Sequence, residues 1–213
     1  MKSHAKAGFT LIEMMLALAL VTILISSAVS TVQTGQSSFR QTVTSTTQST
    51  KAVRALNRLV KRVTSGGKNS LLLVPESPDC TSQLLLQDVI GYESRAPIWS
   101  GDFEISLEYE PGEIDNGMDD DGDGLVDECQ IVQVEDPGGP DERSVVLLRS
   151  VAEFLEGETP NLVDDNGNGL EDERGLCFTR DGNAMFVHLT VLRVGAGGIV
   201  SERTLQTTVA LRN

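Results

Sequence analysis

The sequence predicts an α+β fold: one long N-terminal helix followed by a mostly antiparallel sheet that carries two acidic loops. Three observations predict it. An apolar run near the N-terminus leads into helical periodicity with no proline before Pro75. Short β-like runs follow, separated by turns containing glycine and proline. Between those runs the same ten-residue acidic pattern occurs twice.

The helix comes first. Leu11 to Val29 spans 19 residues, about 28 Å of helix at roughly 1.5 Å per residue, close to the hydrocarbon thickness of about 30 Å. Lys2 and Lys6 precede it, the charge order of a membrane-inserted segment kept positive-inside. Farther along, Val53, Leu56, Leu59, Val60 and Val63 follow three-and-four spacing, while Lys51, Arg54, Arg58, Lys61 and Arg62 fill other faces. The Ser-, Thr- and Gln-rich stretch 30–50 has weak helix propensity; it can be a softer part of the same helix or a linker, and the helix is the expected reading. Gly66-Gly67 supplies the stop.

An ordinary secretory peptide would be cut after the apolar run, where Ser26-Ser27-Ala28 offers small residues. Here Gly8 stands before the run and Phe9-Thr10-Leu11-Ile12-Glu13 follows it. Glu13 lies inside the apolar block, where an ionisable group costs a few kcal/mol unless it finds a partner. The string GFTLIE closely resembles the cleavage and methylation motif of type IV prepilins and type II secretion pseudopilins. The resemblance covers roughly residues 1–35. It implies cutting between Gly8 and Phe9 by a prepilin peptidase and N-methylation of Phe9. It also implies a pilin-like fold, with Glu13 facing the Phe9 ammonium of a neighbouring subunit in the filament core. The expected organisation is a leader at 1–8, a membrane and filament-core helix at 9–30, its continuation at 31–66, and a β-rich periplasmic domain at 67–213.

Within that domain the β-like runs are Gln83–Ile90, Phe103–Tyr109, Gln130–Glu135, Ser144–Phe154, Ala184–Val194 and Arg203–Leu211. Alternation is clearest in FEISLEYE and MFVHLTVLRV. A long helix followed by such a meander agrees with the pilin fold. RTLQTTVALRN and VVLLRSVAEF loosely resemble the larger minor subunits of the PilW and GspJ types.

The net charge is −14, yet residues 113–128 hold eight carboxylates and residues 164–173 hold five, with no Lys or Arg in either. Without those thirteen charges the chain is nearly neutral, so the acidity belongs to two loops. Basic residues are sparse and aromatics make up only 4%, which leaves no footprint for nucleic-acid binding.

DDDGDGLVDE at 119–128 and DDNGNGLEDE at 164–173 share D-x-[DN]-x-[DN]-G-L-x-D-E. Oxygen ligands at alternate positions let a tight loop curl around a hard cation, and calcium accepts six to eight of them. The expected ligands are Asp119, Asp121, Asp123, the Leu125 carbonyl, and Asp127 or Glu128. In the second loop they are Asp164, Asn166, Asn168, the Leu170 carbonyl, and Asp172 or Glu173. Asp115 and Asn116 are further candidates for the first site. These loops resemble EF-hand-type DxDxDG calcium loops but place Gln130 and Gly175 where the bidentate glutamate would stand. Two Ca2+ ions are expected.

Cys80, Cys129 and Cys177 allow one disulfide in any of three pairings. His4 lies in the leader and His188 in a strand-like run; without a nucleophile motif, phosphate loop or transition-metal cluster, no enzyme is expected. The expected function is a minor pilin or pseudopilin acting in initiation or tip assembly of a type IV pilus or secretion-like filament. Its expected partners are other pilins, prepilin peptidase, the inner membrane and a tip adhesin. Its expected location is the inner membrane before assembly and the cell surface after it. The alternative is a calcium-dependent adhesion module at a pilus tip.

Overall fold

The computed structural model describes residues 10–66, 71–74, 80–195 and 197–211. Gly8 and Phe9 lie outside the described residues. The chain divides into two compact units, Met1–Thr44 and Ser45–Asn213.

In the first unit the described residues belong to helix α1, which runs Leu11–Ser65 without a break. Its start is a capping box: Thr10 Oγ1 accepts the Glu13 N–H (3.3 Å), and the Glu13 carboxylate accepts the Thr10 N–H (3.5 Å). Ser and Thr hydroxyls along α1 are satisfied within the helix itself. Ser26, Thr31, Thr34, Ser37 and Thr42 each donate to the carbonyl three or four residues back. The span Leu11–Phe39 is long and apolar enough to cross a membrane, and its large apolar side chains are exposed, Leu11 by 79%.

In the second unit the remainder of α1 buries Ala52, Ala55, Leu56, Leu59 and Val63. The expected stripe is therefore displaced by one position at its start: Val53 faces solvent at 44% exposure, and Ala52 and Ala55 take the inward places. Small residues there let the helix lie close to the strands. Lys51, Arg54, Arg58 and Lys61 are exposed.

Among the described residues eight strands form one antiparallel sheet: β1 (Leu72–Val74), β2 (Gln83–Glu93), β3 (Ala96–Tyr109), β4 (Cys129–Glu135), β5 (Arg143–Val151), β6 (Leu176–Asp181), β7 (Ala184–Val194) and β8 (Val200–Ala210). The order is β1-β2-β3-β4-β5-β7-β6, with β8 also paired to β7. Leu84, Ile105, Ile131, Phe178, Val187 and Leu189 form one core with the buried helix residues. This is an α+β, pilin-like arrangement. β1 and β6 were absent from the sequence reading, and β5 stops at Val151 rather than Phe154. Ser150 has a positive φ of 57°, and the Ala152 N–H bonds to Thr190 O (3.0 Å), which turns the chain out of the strand.

Cys80 and Cys177 form a disulfide with Cα atoms 5.6 Å apart, and Cys129 is a buried free thiol. Beside the bridge, Thr81 and Phe178 exchange backbone hydrogen bonds (3.1 and 2.8 Å). The disulfide thus clamps the start of β2 to β6.

A row of paired residues places the acidic loops. Arg203 Nη1 donates to Ser49 Oγ (3.1 Å), near the start of the helix within this unit. Arg203 pairs with Val191, Val191 with Val151, Val151 with Cys129, and Cys129 with Tyr109. The first loop leaves at Tyr109 and returns at Cys129; the second leaves at Val151 and returns at Leu176. Both loops therefore emerge at the same end of the sheet. At the opposite end, Gly66 bridges Asp88, and Arg62 pairs with Asp88 (2.9 Å) and Glu135 (3.4 Å).

Candidate metal centres in the acidic loops

Each loop is built by its own short polar side chains accepting backbone N–H groups. In the first, Asp119 accepts from Gly122 (2.6 Å) and Gly124 (2.9 Å), Asp121 from Asp123 (2.9 Å), and Asp123 from Leu125 (2.8 Å). The second repeats this. Asp164 accepts from Gly167 (2.6 Å) and Gly169 (2.7 Å), Asn166 Oδ1 from Asn168 (3.0 Å), and Asn168 Oδ1 from Leu170 (2.8 Å). Gly124 and Gly169 both take φ of 94°, a conformation that explains glycine after the third oxygen ligand.

The two candidates at the end of each pattern have different jobs. Asp127 spends its oxygens on the N–H groups of Asn116 (3.0 Å) and Gly117 (2.8 Å). Asp172 does the same for Asn161 (3.0 Å) and Leu162 (2.8 Å). Glu128 is 0% exposed, and neither of its carboxylate oxygens has a hydrogen-bond partner. Glu173 is also 0% exposed; one oxygen accepts from Asn168 Nδ2 (2.6 Å), and the other has no partner.

Sequence reasoning did not single out Glu113 and Glu158. Glu113 is buried and accepts three backbone N–H groups, from Asp120 (3.1 Å), Asp121 (2.9 Å) and Asp127 (3.2 Å). Glu158 is buried and accepts from Asn166 (2.9 Å), with its second oxygen unpartnered. The signal was present: one offset of 45 residues relates Glu113 to Glu158, Asn116 to Asn161, Asp119 to Asp164 and Glu128 to Glu173.

Among the described residues, two groups that share Asp121 have ligand atoms within 4.8 Å of one another: Glu113, Asp121 and Glu128, and Asp119, Asp121 and Asp123. Asp121 joins them into one acidic nest. Burial pushes the Glu128 carboxyl up to about 7, and Asp123, Glu113 and Asp121 add to the rise. A buried carboxylate without a donor, facing other carboxylates, is the arrangement a cation would relieve. Oxygen-only ligands at this spacing fit a hard divalent ion with contacts of about 2.3–2.6 Å.

The remaining candidates serve the loop itself. Asp115 groups with Asp127 and Glu153, and Asn116 Oδ1 accepts the Met118 N–H (2.8 Å). The Leu125 side chain packs with Ala152 and Leu192, fixing the first loop against the root of the second. Leu170 is half-buried. Beneath the loops, Tyr109 Oη (2.5 Å) and Arg174 (3.1 Å) both donate to Glu153. Burial raises the Cys129 thiol to about 12, so it is inert. His188 is half-buried on β7, and burial lowers its pKa.

Residues 3–29 match the family model described as the prokaryotic N-terminal methylation motif. This supports a type IV pilin-like or pseudopilin-like chain processed by prepilin peptidase. Neither the curated proteins nor the solved structures yield a match.

Proposed function

We propose that the chain is a minor pilin or pseudopilin whose sheet domain is braced by calcium in both acidic loops. The observation that carries the first half is the methylation motif joined to an apolar helix whose large side chains stand exposed from Leu11 onward. Such a surface needs lipid or neighbouring helices to cover it. The bilayer covers it before assembly and the packed helices of other subunits cover it afterwards. In this reading the Glu13 carboxylate exchanges the Thr10 N–H for the methylated ammonium of Phe9 on a neighbour.

Calcium supplies the positive charge that the unpartnered buried carboxylate oxygens lack, and they become its ligands. Glu128 and Glu173 are the closing ligands of this reading, because each is fully buried with a carboxylate oxygen that has no hydrogen-bond partner. The role is structural, in initiating or capping a filament, and involves no enzymatic chemistry. Co-expression with a prepilin peptidase tests the processing step. Wild-type chain should shorten to begin at Phe9, and Gly8→Val should stay at full length; equal shortening of both would sink the proposal.

One observation favours a second reading. Ile114, Met118, Leu162 and Val163 stand exposed on the two loops, as contact residues of a calcium-dependent adhesion module would. Substituting them with serine separates the readings: loss of attachment with filaments intact supports adhesion, and loss of filaments supports assembly.

A further inference from the structure

We infer that the two loops are duplicate copies of one cation site that are no longer equivalent. Each closes on a buried glutamate pair, Glu113 with Glu128 and Glu158 with Glu173, and the first copy binds calcium more tightly. This inference rests on the calcium reading above and adds its ligands and its order of filling.

The duplication is visible in three dimensions as well as in sequence. The hydrogen bonds made by Asp119 recur at Asp164, and those made by Asp127 recur at Asp172. The backbone agrees as well, with φ of 49° at Asp127 and 50° at Asp172. In both copies the carboxylates without donors are glutamates from outside the tight turn. Glu128 is 0% exposed with two bare oxygens, and Glu158 and Glu173 each have one. Bare carboxylate oxygens at full burial are costly in a chain without a bound cation, and that cost is absent when a divalent ion lies between them.

Non-equivalence follows from two exchanges. Asp121 and Asp123 correspond to Asn166 and Asn168, so the second copy keeps the oxygen geometry with fewer charges. Asn168 also gives its amide to Glu173 (2.6 Å), a contact that an incoming ion must displace. Calcium affinity rises with ligand charge, so the first site fills first.

The experiment is calcium titration by calorimetry on the full chain in detergent, after treatment with a chelator. Two steps are expected, separated by about tenfold or more in affinity. Glu128→Gln and Glu113→Gln should remove or weaken the tight step and leave the weak one; Glu173→Gln and Glu158→Gln should do the reverse. The untouched step reports that the variant is folded. If a glutamine variant loses both steps, Asp121→Asn, at an exposed residue, repeats the test of the first site. Two equal sites, or a tight step surviving Glu113→Gln, Glu128→Gln or Asp121→Asn, would overturn the inference while leaving calcium binding in place. No calcium heat from wild-type chain would overturn the calcium reading and the inference together.

Discussion

Replacing Glu128 with glutamine should stabilise the cation-free protein and destabilise the calcium-loaded one. Glu128 is 0% exposed and its carboxyl is raised from 4.5 to about 7. A folded-state pKa above the unfolded value means the native chain holds the proton longer. Its contribution is therefore fully present below about pH 4.5 and is lost as pH rises through about 7. At about 1.4 kcal/mol per pK unit, discounted for water near the loop, the carboxylate costs roughly 2–3 kcal/mol at pH 8. Glu128→Gln removes that cost. For a chain of this size the gain corresponds to a Tm about 5–10 °C higher in chelator at pH 8, with no gain near pH 4.5. With calcium at about 1,000 times its Kd the sign reverses, because the ion then adds about 4.1 kcal/mol to a protein that keeps its ligand, more than the substitution gains. Thermal unfolding of the full chain in detergent, followed by circular dichroism, measures all three conditions. A variant no more stable than wild type in chelator at pH 8 would refute the buried-carboxylate argument.

Three further changes probe the frame. Replacing Cys80 and Cys177 together by serine opens a disulfide spanning 97 residues and should cost about 2–4 kcal/mol by chemical unfolding. Leu162 holds a positive φ of 61° where the first loop has Gly117 at 73°, so Leu162→Gly should gain up to about 1 kcal/mol in the same assay. Leu59→Ala, at a fully buried position of α1, should lose about 2–5 kcal/mol without altering calcium binding.

Where local chemistry decides, the sequence was readable. The apolar run and three-and-four spacing of α1 carry the helix, and alternation in FEISLEYE carries the inner half of β3. Val53 was misplaced because periodicity alone cannot tell a valine at the stripe's edge from an alanine pressed against the sheet. β1 is too short to announce itself at three residues, and the Thr-Arg-Asp end of β6 runs into a turn. Both exist through pairing with β2 and β7, which is tertiary information. The ligand positions of the tight turns were legible because spacing dictates them. Glu113 and Glu158 are marked only by the 45-residue offset between the loops, and not by ligand spacing, because the chain must fold back before a glutamate six residues upstream meets the turn. The same holds for Cys80 and Cys177, which the clamp between β2 and β6 brings together.

The most direct test of the central claim is the intact mass of this chain recovered from filaments sheared off cells that express the complete assembly machinery. The expected result is a protein in the filament fraction that begins at Phe9 and carries one methyl group. Recovery only from the membrane fraction, with the first eight residues still attached, would contradict it.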